Sequence, residues 1–264
     1  EPFLKMTPKN KKKTIFAVFF VLFVDNMGLA IVFNFFAPLI MLPSYGMIDA
    51  SVTLQTKNYL LAFLIAIFPL AQIFAAPVIG DLADSFGRKK AFKLTILGTT
   101  FGFLLSAFAI LLKSFWLLII FRFISGMFAG NLSIVMAAIA DLNPNEKDRA
   151  RNYGYFSTIL GASWAVALII GGFFANPKYF NPSLPFFIMA LFSMLNFWVM
   201  IKFYKETFAS NEKVKINILK GLFEIVRALK VKILKLYLFI YLFFFVGVAT
   251  IYQWAAPYML EKFQ

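Results

Sequence analysis

The sequence predicts an all-α membrane protein that crosses the bilayer several times. Three observations carry this. Hydrophobic residues make up 61% of the 264 residues and the mean hydropathy is +0.81, whereas ordinary globular domains are about 45–50% apolar. The apolar residues gather into runs near the roughly 20 residues that a helix needs to cross a hydrocarbon core. These runs do not alternate in polarity as the strands of an outer-membrane barrel would.

The composition also excludes chemistry. With no cysteine there is no disulfide framework, thiolate metal site or catalytic thiol. With no histidine the commonest general base and metal ligand is missing. No enzyme activity, metal or cofactor is expected. A net charge of +14 would suggest nucleic acid in a soluble protein; here its distribution has a different cause, and no nucleic-acid partner is expected.

In chain order, residues 1–14 form a basic N-terminal segment, in which Met6 is a candidate natural start. Seven spans follow: Ile15–Met41, Tyr59–Ile79, Ala91–Leu112, Phe115–Ala140, Tyr153–Ala175, Pro185–Phe203 and Leu236–Leu260. The first six make up a bundle over 15–204, and residues 205–235 form a linker before the last helix over 236–264. Between spans four and five, Asn143, Pro144 and Glu146 match a helix start, with Asn143 as cap, Pro144 in the first position and Glu146 as the capping-box acid. Within the linker, Ile218, Leu219, Leu222, Ile225, Val226 and Leu229 fall at helical spacing over Lys215–Lys230. That stripe predicts an amphipathic helix lying on an anionic inner leaflet.

Orientation follows from the 26 Lys and Arg residues. Most lie in the N-terminal segment, around Arg88–Lys93, in Lys147–Arg151 and in the linker, whereas the opposite set of connections holds Lys57, Lys113, Lys178 and Lys262. By the positive-inside rule the N-terminus is cytoplasmic, and the net charge is mostly a topology signal.

Two charges fall well inside the spans. Asp25 lies about ten residues into span one, or roughly 15 Å at 1.5 Å per residue, which is close to the midplane. A carboxylate there needs a cavity or a partner, and intramembrane carboxylates mark ion pathways. Burial penalises its charged form, which suits reversible protonation. Arg122 lies about two turns into span four, followed on its face by Ser125, Gly126, Ala129, Gly130 and Ser133, small residues that let helices approach closely. Asp25 and Arg122 are therefore the candidate proton-coupling pair. Gln72 and Asn131 are polar groups in apolar spans; contact with substrate and interhelical hydrogen bonding fit them equally. Trp164 fits an aromatic cavity wall or lipid packing.

The stretch GDLADSFGRKK, residues 80–90, links spans two and three. A plain basic loop accounts for Arg88, Lys89 and Lys90 but not for Gly80, Asp84 and Gly87 around them. Gly80, Leu82, Asp84, Gly87, Arg88 and Lys89 resemble the signature that major facilitator superfamily transporters carry between their second and third helices, with Ser85 in place of the usual basic residue. Asp141, which closes span four, either pairs with Arg88 or is a solvated helix-end charge. The gate residues of this reading are thus Gly80, Asp84, Gly87, Arg88, Lys89 and Asp141.

The resemblance narrows further. The stretches DNMGLAIVFNFFAPL, LAFLIAIFPLAQIFAAPVIGDLADSFGRKK, RFISGMFAG and AAIADLNPNEKDRARNYGYF are similar to the tetracycline/proton antiporter branch of drug exporters. By it, Asp25, Arg88 and Arg122 match the branch's span-one acid, loop arginine and span-four arginine. Ala167 and Leu168 replace the Gly-Pro pair of its span-five signature, and Gly102 stands where tetracycline exporters have an acid. The resemblance implies a six-helix N-terminal half of a major facilitator fold plus the seventh helix, with five helices of the second half beyond the sequence. It implies a proton-coupled exporter of a small organic molecule in a bacterial inner membrane. A proton-coupled importer of the same fold and a non-transporting membrane scaffold are the alternatives.

Overall fold

A computed structural model describes residues 6–174, 180–208, 223, 226–227 and 229–263. The long helices are α1 (Pro8–Met41), α2 (Leu54–Phe86), α3 (Arg88–Leu111), α4 (Phe115–Met127), α5 (Asn131–Leu142), α6 (Glu146–Phe174), α7 (Leu184–Phe203) and α8 (Lys232–Phe263). Taken together, α4 and α5 form one crossing, which gives seven segments long and apolar enough to span a membrane among the described residues. The predicted amphipathic helix over Lys215–Lys230 falls almost entirely outside the described residues, as do residues 1–5.

Local chemistry sets the helix ends. Thr7 caps α1, accepting from the Asn10 amide, with Pro8 in the first turn. Thr53 caps α2 in the same way through the Thr56 amide, and Ser114 caps α4 through Leu117. Between α5 and α6 the predicted cap is displaced. Asn143 ends α5, donating its side-chain amide to the Ile139 carbonyl at 2.9 Å. Asn145 starts α6, its Oδ1 accepting from the Lys147 amide at 3.0 Å. Either asparagine can cap, and Pro144 has no N–H to join α5, so the boundary moves by two residues.

Two further predictions are corrected. The stretch 80–90 is not a loop: α2 runs through Phe86 and α3 begins at Arg88, so Gly87 alone turns the chain, at φ +91°. Span four is not one helix: it breaks at residues 128–130, where Phe128, Ala129 and Gly130 close short turns, before α5 restarts at Asn131.

The packing is in layers. Helix α1 lies against α6 and α7, α3 against α4 and α7, and α2 against α4, while α8 touches α1 and most of its described side chains are exposed. One apolar cluster gathers Val24–Met47 with Phe103, Leu118 and Phe186. A second, toward the basic end, gathers Ala17–Leu22 with Phe92, Ile139 and Tyr204. Polar residues sit where the two clusters meet, and that junction holds the site.

Candidate functional site

Asp25 stands at the junction. Its Oδ2 accepts from the Asn131 amide nitrogen at 2.5 Å, and the Asn131 carbonyl oxygen in turn accepts from the Thr95 hydroxyl. Asn131 is the first residue of α5, so the helix break brings its side chain to the carboxylate. Gln72 supports the break from α2, donating to the Ala129 carbonyl at 2.5 Å. That carbonyl lies in the interruption, where no backbone N–H reaches it among the described residues, and a partly buried acceptor is stabilised by such a partner. A cavity of about 170 Å3 opens here, lined among others by Asp25, Asn26, Gln72, Thr99, Ser125 and Asn131.

Arg122 does not reach Asp25. It is buried at 1% exposure, with its guanidinium carbon 4.4 Å from the Phe68 ring centre and 5.5 Å from that of Phe36. No ion pair joins it to a carboxylate among the described residues, and its Nε and Nη1 have no hydrogen-bond partner. Two aromatic faces attract a cation, by about 2 kcal/mol when desolvated, but leave the Nε and Nη1 donors unused. Ser125, one turn on, is also buried with its hydroxyl unpartnered, and it faces the cavity.

Of the expected cavity residues, Gln72 and Asn131 line the Asp25 cavity, while Trp164 lies elsewhere. Its ring tilts against Phe33 at 5.3 Å, in a separate apolar pocket of about 650 Å3 between α1, α6 and α8. The small residues after Arg122 serve close packing. A Cβ added at Gly126 would stand 2.4 Å from the Phe68 carbonyl oxygen, and one at Gly130 would stand 2.6 Å from the Ile79 side chain.

A second group of charges sits at the basic end. Arg88 Nε and Asp141 Oδ2 are 2.6 Å apart as an ion pair, with both side chains largely buried, although the two atoms are not aligned as a hydrogen bond; of the two readings of Asp141, the contact matches the paired one. Asp84 is exposed and forms no ion pair among the described residues. Gly80 lies inside α2 with open space beside it, so it turns no chain. Lys89 Nζ donates to the carbonyls of Tyr204 at 2.7 Å and Ile201 at 3.2 Å, closing the C-terminus of α7.

Glu206, which sequence reasoning missed, completes the group. Its carboxylate accepts from the amides of Arg88 and Lys89, each at 3.1 Å, and from Thr207 and Phe208. Gly87 has no side chain to cap α3, so an acid from 118 residues later takes the free N–H groups and meets the positive helix end. The same contact explains Gly87 twice over: besides its φ, a Cβ there would lie 2.7 Å from Glu206 Oε2. Tyr204, beside it, is buried with its hydroxyl 2.8 Å from that of Thr207. Burial and the nearby Glu206 carboxylate push the phenol above its ordinary range, with burial the larger cause. Nothing in the FYKETF stretch marks Glu206 as a cap, because its partners are remote in sequence. Asp81, in the same signature, is buried as well.

Comparison with known proteins agrees with this architecture. The model of the Major Facilitator Superfamily matches residues 15–264. The Tetracycline resistance protein, class B, of Escherichia coli is 31% identical over 144 residues, covering 54% of this chain and 34% of the relative. The Quinolone resistance protein NorA of Staphylococcus aureus is 31% identical over 191 residues, covering 72% of this chain and 44% of the relative. The chain thus spans less than half the length of these curated relatives. Among solved structures, a D-xylose-proton symporter superposes with a TM-score of 0.63 at 15% identity, covering 74% of this chain and 48% of that one. The human organic anion transporter MFSD10 gives 0.59 at 20%, covering 81% and 51%. Identities this low establish the fold alone.

Proposed function

The chain belongs to the Major Facilitator Superfamily, and on that premise we propose that it is the N-terminal part of a proton-coupled transporter that exports a small organic molecule by alternating access. The observation that carries this is Asp25: a carboxylate inside a membrane-spanning helix, facing a cavity, held by one amide and, among the described residues, paired with no cation. An acid so placed can take up and release a proton as the cavity changes side, which a fixed ion pair would prevent. Arg122 is the second member of the coupling pair, a charge close enough in the fold to compete for the carboxylate when the helices move. The names of the tetracycline and quinolone resistance relatives support export rather than uptake.

The charges at the basic end act as the cytoplasmic gate. Arg88, Lys89, Asp141 and Glu206 tie the start of α3 to the ends of α5 and α7, so opening that side requires their bonds to part. The N-terminus is cytoplasmic and the membrane a bacterial inner membrane, with the basic linker against anionic lipid.

The test uses the full-length protein in proteoliposomes, with substrate flux followed with and without an imposed pH gradient. Asp25→Asn should abolish uphill movement while downhill exchange persists in part, and Asp25→Glu should retain coupling with an altered pH optimum. Uphill transport by Asp25→Asn at the wild-type rate would make Asp25 a structural residue. Substrate and protons moving in the same direction would replace export with uptake.

A further inference from the structure

Arg122 and the Asp25 cavity are separated by one side chain. Phe68 lines the cavity, and the same ring is the nearer of the two aromatic faces on the Arg122 guanidinium. Arg122 itself does not line the cavity, although Ser125, one turn along α4, does. The buried groups without partners, Arg122 Nε and Nη1 and Ser125 Oγ, therefore lie on neighbouring turns of one helix, the first beside Phe68 and the second on the cavity that Phe68 also lines.

The two rings that enclose Arg122 are held differently. Phe36 is fully buried and stacked on Phe186 at 5.8 Å, with the ring planes 16° apart, so packing fixes it on every side. Phe68 borders open space on its cavity side. Its backbone is also less constrained than that of an ordinary helix residue, because Pro69 follows it. Proline has no N–H to give the Ile65 carbonyl, and its ring crowds that carbonyl, which loosens the helix at this turn. Gly126 of α4 packs directly against the Phe68 carbonyl, where an added Cβ would stand 2.4 Å from its oxygen, so movement of α4 against α2 acts on this residue.

We propose that Phe68 is a shutter: in the state described it shields the Arg122 guanidinium from the Asp25 cavity, and when its ring turns aside Arg122 and Ser125 are presented together to that cavity. Phe68 is then a positioning residue that sets when the arginine charge acts on whatever occupies the cavity, whether the Asp25 carboxylate or an anionic group of a ligand. The shielded state keeps the guanidinium and Asp25 apart, which is required if Asp25 is to bind a proton.

This inference bears on the coupling mechanism proposed above, but its test does not depend on transport. The reagent is phenylglyoxal, which modifies arginine, applied to the full-length protein in membrane vesicles, with each arginine read by peptide mass spectrometry. Arg149 and Arg151, whose side chains are exposed, report reagent activity. In the wild type, Arg122 should react far more slowly than either. Phe68→Ala should raise Arg122 modification by about tenfold, as expected for loss of a desolvated cation–π contact, while Arg149 and Arg151 are unchanged. Phe68→Leu, which keeps most of the volume without an aromatic face, should raise it less and covers the case in which the alanine variant fails to fold. Phe36→Ala should leave Arg122 protected from the cavity. The proposal is overturned if wild-type Arg122 reacts as fast as Arg149, if neither Phe68 variant raises its modification, or if Phe36→Ala raises it as much as Phe68→Ala. A protein that carries no substrate would still show the shutter, and a transporter without the shutter would still lose coupling with Asp25→Asn.

Discussion

At the basic end of the bundle, Arg88, Lys89, Asp141 and Glu206 each end on a partner. Deeper in the bundle, Arg122 is more buried than any of them, yet its Nε and Nη1 have no hydrogen-bond partner among the described residues. Both regions hold a buried arginine on a helix, and they differ in whether an opposite charge stands beside it: Asp141 is 2.6 Å from Arg88 Nε, whereas no carboxylate pairs with Arg122 among the described residues. A buried charge without bonds is unfavourable and persists only where something else requires it. The satisfied cluster is suited to holding one state. The unsatisfied one is suited to changing partner between states.

The largest effect should come from breaking the satisfied pair. Arg88→Ala leaves the largely buried Asp141 carboxylate without its cation, and removal of one member of such a pair costs about 3 kcal/mol or more. The expected outcome is a clear loss of thermal stability in the full-length protein, measured by unfolding in detergent. A single cysteine placed at the basic end of the otherwise cysteine-free chain should also become more accessible from that side. The double variant Arg88→Leu, Asp141→Leu should regain much of the stability, because two apolar groups need no partner. If Arg88→Ala is neutral in both measurements, the cluster is a topology signal and the contrast between the regions fails.

Arg122 should respond with the opposite sign. Arg122→Met keeps a long side chain between Phe36 and Phe68 and removes the unmet donors. Replacing buried charge with apolar side chains of similar volume is often neutral or stabilising, by about 1–4 kcal/mol. The variant should therefore melt no lower than the wild type while losing coupled transport. A fall in stability as large as that of Arg88→Ala would mean that Arg122 is a structural residue like Arg88.

The contrast also marks how far the residues alone reach. Asp25 and Arg122 could be picked out because a charge inside an apolar run of 20 residues is conspicuous in one dimension. The seven spans were legible for the same reason, since hydropathy is additive along the chain. The break at residues 128–130 was not, because RFISGMFAGNLS remains apolar enough to read as one helix and its interruption is held by Gln72 from another. Glu206 was hidden for a related cause: its role as a cap is set by Gly87, which brings two helix ends together. The placement of Arg122 between two rings depends on α1 and α2 at once, so no local pattern announces it. Trp164 lines a pocket apart from Asp25, and the sequence could not place it because its position along α6 does not say which helix it meets.

Glu206 offers a smaller effect that sharpens the comparison from the satisfied side. Glu206→Gln keeps an acceptor near the Arg88 and Lys89 amides and removes the negative charge from the start of α3. Helix-end charge interactions are worth about 0.3–1 kcal/mol, rising toward 2 in partly buried sites, so a loss near 1 kcal/mol is expected. Glu206→Ala, which leaves the amides without an acceptor, should cost more, as loss of a helix cap does at about 1 kcal/mol beyond a weak one. Equal stability of wild type and Glu206→Ala would show that the amides find another partner and that the cap is incidental.

The smallest effect is expected at an ion pair on the same side of the membrane that lacks burial. Arg151 Nη2 and Asp148 Oδ1 are 2.9 Å apart on the first turns of α6, close to the Arg88–Asp141 distance, but their side chains are 62% and 38% exposed. Distance alone would rank the two pairs together, whereas burial separates them. Solvent screens the exposed charges and two long side chains lose freedom to meet, so such a helix pair is worth about 0.3–0.5 kcal/mol. Arg151→Ala should therefore shift the melting temperature barely beyond error, and raising the salt concentration should shrink the shift further, since exposed charges are screened by salt. Arg88→Ala should keep its effect in the same salt series. If the two variants respond alike in size and in salt dependence, burial is not what distinguishes the satisfied cluster, and the gate would have to be sought in the helix packing around it.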